Sequence, residues 1–135
     1  MREILFRAKC IERVSNGEWY YGHYVHQYGA HMIYLPNGAD GEYGFDSYHI
    51  DTETLGRYTG LTDKNGKKIF EGDIVDCWSE GINAQGTVQQ RRDGLWIIYP
   101  AWQKHIMWGL CPDEYSHTTV EVIGNIHDNP ELIKT

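Results

Sequence analysis

The stretch from Tyr58 to Trp78, YTGLTDKNGKKIFEGDIVDCW, contains two glycine-marked turns close together. The first is Asp63-Lys64-Asn65-Gly66, in which glycine stands where a left-handed residue is wanted. The second, Gly72-Asp73, precedes IVDCW, whose β-branched residues are typical of a strand. Turns so closely spaced leave no room for a helix of ordinary length, so the stretch predicts short strands joined by tight turns.

Similar signals occur elsewhere in the chain. Asn16-Gly17 follows an amphipathic run with Ile4, Phe6, Ala8 and Cys10 on one face, and Asp93-Gly94 separates two apolar arms. Both dipeptides are typical of β-hairpins because both of their residues tolerate positive φ. The composition agrees, with 10 Tyr, 5 Trp and 15 Gly. The sequence therefore predicts an all-β protein with little helix.

The segment DTETLGRYTGL contains the best helix signal, although it is short. Asp51 can cap a turn, but Gly56 and Gly60 interrupt the run before two turns are complete. We expect one turn of 3₁₀ or α-helix here. The same segment is the predicted boundary between an amino-terminal β subdomain, residues 1–57, and a second subdomain, residues 58–135.

Net charge and cysteine usage restrict the function classes. The net charge of −7 disfavours nonspecific binding to nucleic acid and to anionic membranes, because both require a surplus of Lys and Arg. The charged start MREILFRAKC is unlike a signal peptide, and no segment is long and apolar enough for a membrane span. The three cysteines, Cys10, Cys77 and Cys111, form no Cys-x-x-Cys pair and are expected to be reduced, buried thiols in a cytoplasmic protein.

The aromatic run WYYGHYVHQYG predicts a strand with two different faces. Trp19, Tyr21 and His23 share one face, and Tyr20, Tyr24, His26 and Tyr28 share the other. One face should be core, and the second can be ordinary sheet surface, a self-association interface or a ligand platform. The candidate interface residues are Trp19, Tyr20, Tyr21, Tyr24 and Tyr28.

No motif in the sequence predicts catalysis, a cofactor or a metal site. His23, His26 and His31 cluster inside an aromatic run, but His23 and His26 are three residues apart and should point to opposite faces of a strand, so they should not share a metal ion. Nucleophile-elbow, phosphate-loop and zinc-protease motifs are all missing from the sequence. We therefore expect a protein that is not an enzyme and that has no cofactor.

The basic residues are concentrated in DKNGKK and QQRRDG. They form the one candidate nucleic-acid contact, made by Lys64, Lys67, Lys68, Arg91 and Arg92. The alternative is that both segments are simply solvent-exposed turns.

Three segments carry a resemblance to a known family. REILFRA at the start, DTETLGRYTGLTDKNGKKIFEGDIV from Asp51 to Val75 and VEVIGNIHDNPEL from Val120 to Leu132 resemble the YopX family of phage and prophage proteins. The resemblance implies a mainly β protein whose carboxy-terminal part is a small SH3-like barrel beginning near Gly72-Asp73, located in the bacterial host cytoplasm. It implies no catalytic residues.

Taken with the composition, the resemblance favours a phage-encoded, non-enzymatic, protein-binding or self-assembling β module. The expected partner is a second copy of the chain or another phage or host protein. The alternative is a nucleic-acid-binding accessory protein that uses the Lys and Arg turns.

Overall fold

Short strands and tight turns make up the fold in the computed structural model, which describes residues 4–35, 46–79, 82–100, 108–110 and 112–133. Within these residues the secondary structure consists of eleven strands and two short 3₁₀ helices, Thr52–Thr54 and Pro130–Ile133. The strands are β1 (Phe6–Lys9), β2 (Trp19–Gln27), β3 (Ala30–Leu35), β4 (Asp46–His49), β5 (Gly56–Thr62), β6 (Lys68–Phe70), β7 (Asp73–Ser79), β8 (Ile82–Gln90), β9 (Trp96–Pro100), β10 (Trp108–Gly109) and β11 (Glu121–Asn125). The predicted all-β class is confirmed. In the described residues no helix is long and apolar enough to cross a membrane.

The strands form two sheets, and the chain divides into two compact units. One sheet has the order β4-β3-β2-β1-β5-β6, and the other has the order β10-β9-β8-β7-β11. The units are Met1–Tyr58 and Thr59–Thr135, so the division falls within β5.

The core of the first unit lies on one face of the β1–β4 meander. Ala8, Ile33 and Ile50 are its buried residues. An isolated bridge pairs Cys10 with Ile50, so the chain after β4 returns to the end of β1. The predicted inward face of β1 is confirmed at Ala8 and Cys10, which are buried, but Ile4 is exposed and lies before the strand begins.

The predicted single helical turn is confirmed at Thr52–Thr54. The Asp51 carboxylate accepts a hydrogen bond from the Glu53 backbone N–H, and this is the capping role expected from the sequence. The buried Thr54 hydroxyl accepts the Lys9 backbone N–H at 2.8 Å, which ties the turn to the end of β1.

The second unit has its own core, built mainly from the five-stranded sheet. Its buried residues are Ile69, Val75, Cys77, Val88, Trp96, Ile98, Leu110 and Val120. The predicted turns are confirmed, since Gly66, Gly72 and Gly94 all have positive φ, between 83° and 93°.

The expected SH3-like barrel is not closed, which corrects the picture drawn from the family resemblance. Within the described ranges, β10 and β11 are the two ends of an open sheet. The free side of β11 is occupied by the turn after β5, because the Lys64 N–H donates to the Val120 carbonyl and the Asp63 carboxylate accepts the Val122 N–H. This edge of β11 therefore makes individual hydrogen bonds with a turn, whereas barrel closure would need a continuous ladder of hydrogen bonds with another strand.

Candidate functional site

The β2–β3 hairpin, Trp19–Leu35, is the least charged part of the chain. Its seventeen residues include no Asp, Glu, Lys or Arg, although charged residues make up 23% of the whole sequence. At that frequency about four charged side chains would be expected in a segment of this length. We call this segment the uncharged hairpin.

One face of the uncharged hairpin belongs to the core of the first unit. Tyr20 and Tyr24 pack against the buried cluster, and Tyr20 stacks on Tyr48 with ring centroids 4.2 Å apart. Tyr24 also contacts Phe6 in a tilted arrangement with the centroids 5.9 Å apart. These two tyrosines of the predicted interface are half-buried and pack within the first unit.

The opposite face combines aromatic and cationic side chains. The Arg7 guanidinium lies 4.8 Å from the Trp19 ring centroid, and the Lys9 ammonium lies 5.5 Å from it. Both distances are within the range of cation–π attraction. Tyr21, directly opposite Arg7 in the sheet register, is partly exposed on this face.

The tip of the uncharged hairpin is a two-residue turn made by Tyr28 and Gly29. Both residues have positive φ, 53° and 78°, as a type I′ hairpin turn requires. The tyrosine side chain is 96% exposed. A left-handed conformation costs a non-glycine residue about 1–2 kcal/mol. Tyr28 is thus a bulky aromatic residue in a backbone position that favours glycine, and its side chain is almost fully exposed.

A histidine pair lies beside this tip. His26 on β2 is directly opposite His31 on β3, and their rings stack with centroids 3.9 Å apart. The Tyr24 hydroxyl lies 2.5 Å from His31 Nδ1. His23 occupies the other face of β2, as its spacing from His26 predicts.

Sequence reasoning missed the pairing of His26 with His31. The signal that could have revealed it is the turn: if Tyr28-Gly29 is a two-residue hairpin loop, then Gln27 pairs with Ala30 and His26 with His31. Among the described residues no group of three or more His, Cys, Asp and Glu side chains is arranged to hold a metal ion.

A comparison with protein-family models matches the chain to the YopX protein model over residues 6–134. The chain belongs to the YopX family. A comparison with curated proteins found no match. The resemblance to the YopX family is confirmed.

The basic turns of this YopX protein are exposed and partly neutralised by acids. Lys64 forms an ion pair with Glu121 at 3.9 Å, and Arg91 forms one with Asp93 at 2.5 Å. The hydrogen bond from Arg91, the backbone N–H of Leu95 and the charge of Arg91 lower the pKa of Asp93 to about 2. Lys67, Lys68 and Arg92 are also exposed. The Lys64 turn lies beside β11, whereas the Arg91 turn joins β8 to β9, so the five cations are divided between two separate turns.

The sequence predicts that the cysteines of the YopX chain are reduced, buried thiols. Cys10 and Cys77 are buried thiols, whereas Cys111 lies outside the described residues. Burial, assisted by the nearby charge of Asp76, raises the pKa of the Cys77 thiol to about 11. Since the thiolate is the reactive form, Cys77 should be a poor nucleophile at neutral pH.

We expect Cys77 to resist alkylation in the folded protein. Iodoacetamide at about pH 8 should modify it at least tenfold more slowly than in the urea-unfolded chain, where the thiol regains its ordinary pKa and exposure. Peptide mass spectrometry of timed samples gives the two rates. Equal rates in the folded and unfolded states would show that Cys77 is not buried as described.

Proposed function

We propose that this YopX family protein is a phage- or prophage-encoded, non-enzymatic protein of the bacterial cytoplasm that associates with its own copies through the tip of the uncharged hairpin. The observation that carries the proposal is Tyr28, an aromatic side chain left 96% exposed on a strained backbone position. The strained backbone costs free energy in the monomer, and burial of the ring against a partner offsets that cost.

The charge distribution favours the uncharged hairpin as the surface at which two copies can meet. Each copy carries a net charge of −7, so two copies repel each other over most of their surfaces. The uncharged hairpin adds no charge to this repulsion, and its burial requires no desolvation of Lys, Arg, Asp or Glu within the hairpin. The same net charge disfavours nucleic acid as the partner.

The chemistry of the tip also suits an interface. Gln27 and Gly29 flank Tyr28 and are exposed with it, so the ring can be approached from either side of the turn. Tyrosine is enriched in interfaces because it combines a large apolar ring with a hydroxyl that tolerates water. An association built on one aromatic anchor for each copy is expected to be modest in affinity and to depend on concentration.

Replacing Tyr28 with glycine should weaken self-association while leaving the monomer folded. Glycine adopts the positive φ of this position without strain, so the monomer should be as stable as before or slightly more so. Loss of an interface anchor typically costs more than about 1 kcal/mol, so we expect the dissociation constant to rise about tenfold. Sedimentation equilibrium over a range of protein concentrations measures it.

The matched control is Tyr115→Ser, which removes another exposed tyrosine, 74% accessible, from the second unit. This variant should associate like the unchanged protein. If both tyrosine variants weaken association equally, contact at the hairpin tip is refuted. If the unchanged protein is monomeric at every concentration, self-association itself is refuted.

A further inference from the structure

The His26–His31 pair places two imidazoles on one face at the exposed end of a hairpin. Directly opposite residues of an antiparallel pair have Cβ atoms about 5 Å apart. Metal ions bound by imidazole nitrogen lie about 2 Å from that nitrogen. Two side chains at this spacing can therefore reach a single ion, which His23 on the other face cannot join.

Tyr24 fixes how His31 presents its ring. Its hydroxyl is 2.5 Å from Nδ1, so Nε2 is the ring nitrogen left for another interaction. When Nδ1–H donates to the phenolic oxygen, Nε2 carries the free lone pair that a metal requires. A hydrogen bond on the nitrogen that does not bind the metal is the usual way in which proteins orient a ligating histidine.

His26 is the member of the pair whose ring can change its orientation. The two rings stack almost parallel, with planes 13° apart, so their lone pairs do not converge in the stacked arrangement. His26 is exposed, and the terminal torsion of histidine has a broad energy minimum, so its ring can turn toward His31 Nε2 without disturbing the sheet. The net charge of −7 also favours the approach of cations.

We propose that His26 and His31 together chelate one divalent transition-metal ion of the kind that prefers imidazole, such as Ni²⁺, Cu²⁺ or Zn²⁺. The two histidines are the protein ligands, and water fills the remaining coordination positions. Hard cations such as Mg²⁺ and Ca²⁺ are not expected to bind, because they prefer oxygen ligands. The site is complete within one chain and does not depend on self-association.

The test is calorimetric titration of the full chain with Ni²⁺ at low protein concentration. The unchanged protein should bind one ion per chain, and His26→Gln and His31→Gln should each weaken binding about tenfold or more, as expected when one of two ligands is lost. His23→Gln is the matched control, since it removes a histidine from the same strand but from the opposite face, and it should bind like the unchanged protein.

A second measurement locates the ion directly. Paramagnetic Ni²⁺ should broaden the amide resonances of residues around His26 and His31 before those of the second unit. Broadening centred elsewhere, equal loss of binding in His23→Gln, or an absence of saturable binding by the unchanged protein would each overturn the proposal. Far-ultraviolet circular dichroism confirms that each variant has kept its fold.

Discussion

Replacing Gly22 with alanine should destabilise the first unit by about 3 kcal/mol or more, because the added methyl group has nowhere to go. An ideal Cβ at this position would clash with the backbone carbonyl oxygen of Tyr34 in the neighbouring strand. It would also lie 3.2 Å from Ile33 Cγ2. A backbone atom cannot swing aside as the end of a flexible side chain can. The sheet would have to open where β2 lies beside β3, and urea unfolding followed by tryptophan fluorescence measures the loss.

Gly29→Ala is the matched control in the same hairpin. Gly29 has a positive φ of 78°, but nothing lies within 4 Å of its ideal Cβ. This change should therefore cost only the backbone strain, about 1 kcal/mol. If Gly22→Ala is no more destabilising than Gly29→Ala, the close approach of β2 to the Tyr34 carbonyl is not present in solution.

Asp63→Ala should destabilise the second unit by about 2–4 kcal/mol, since it leaves several backbone donors without their acceptor. Asp63 is only 1% exposed. Its Oδ1 accepts the N–H groups of Asn65 and Lys67, both at 2.9 Å, and its Oδ2 accepts the Val122 N–H at 3.0 Å. One carboxylate thus holds the turn after β5 in shape and attaches it to β11. Urea unfolding is again the measurement.

The same carboxylate makes stability depend on pH. Burial by itself raises the pKa of Asp63, but the three backbone donors and the charge of Lys67 outweigh it and lower the pKa below the ordinary 3.8. A group whose pKa is lower in the folded state stabilises the fold above the unfolded pKa, and this contribution is lost as the pH falls through the folded pKa. Stability should therefore decline below about pH 4, and Asp63→Ala should reduce the decline.

Asp93→Ala provides the control for a turn carboxylate that is exposed. Asp93 accepts the Leu95 N–H and pairs with Arg91, but both charged side chains lie in solvent. Water replaces these contacts when the carboxylate is removed, so only a small change in stability is expected. Equal effects at Asp63 and Asp93 would contradict the role given to burial.

The parts of the fold that follow from local chemistry could be predicted from the sequence. The turn at Gly66 needs a residue that accepts positive φ, and Asp51 caps the helical turn at Thr52–Thr54 with a carboxylate two residues away from its donor. Both features depend on a few neighbouring residues, and for this reason sequence patterns reveal them.

Features that depend on distant residues could not be predicted in the same way. The hydrogen bond from the Val122 N–H to the Asp63 carboxylate joins positions 59 residues apart. No local sequence pattern predicts that a turn, and not a strand, contacts the edge of β11. The His26–His31 pair depends on Tyr28 adopting a positive φ, which is unusual for a bulky residue. The sequence contains both histidines, but only the register of β2 and β3 shows that they are directly opposite each other.

We propose that copies of this YopX protein meet at the tip of the uncharged hairpin. The most direct measurement is a dilution series of amide spectra from the isotope-labelled full chain. We expect concentration-dependent shifts centred on Gln27, Tyr28 and Gly29, with the amides of β7 and β8 unchanged. Spectra that stay constant from the highest to the lowest concentration, or shifts centred on the second unit, would contradict it.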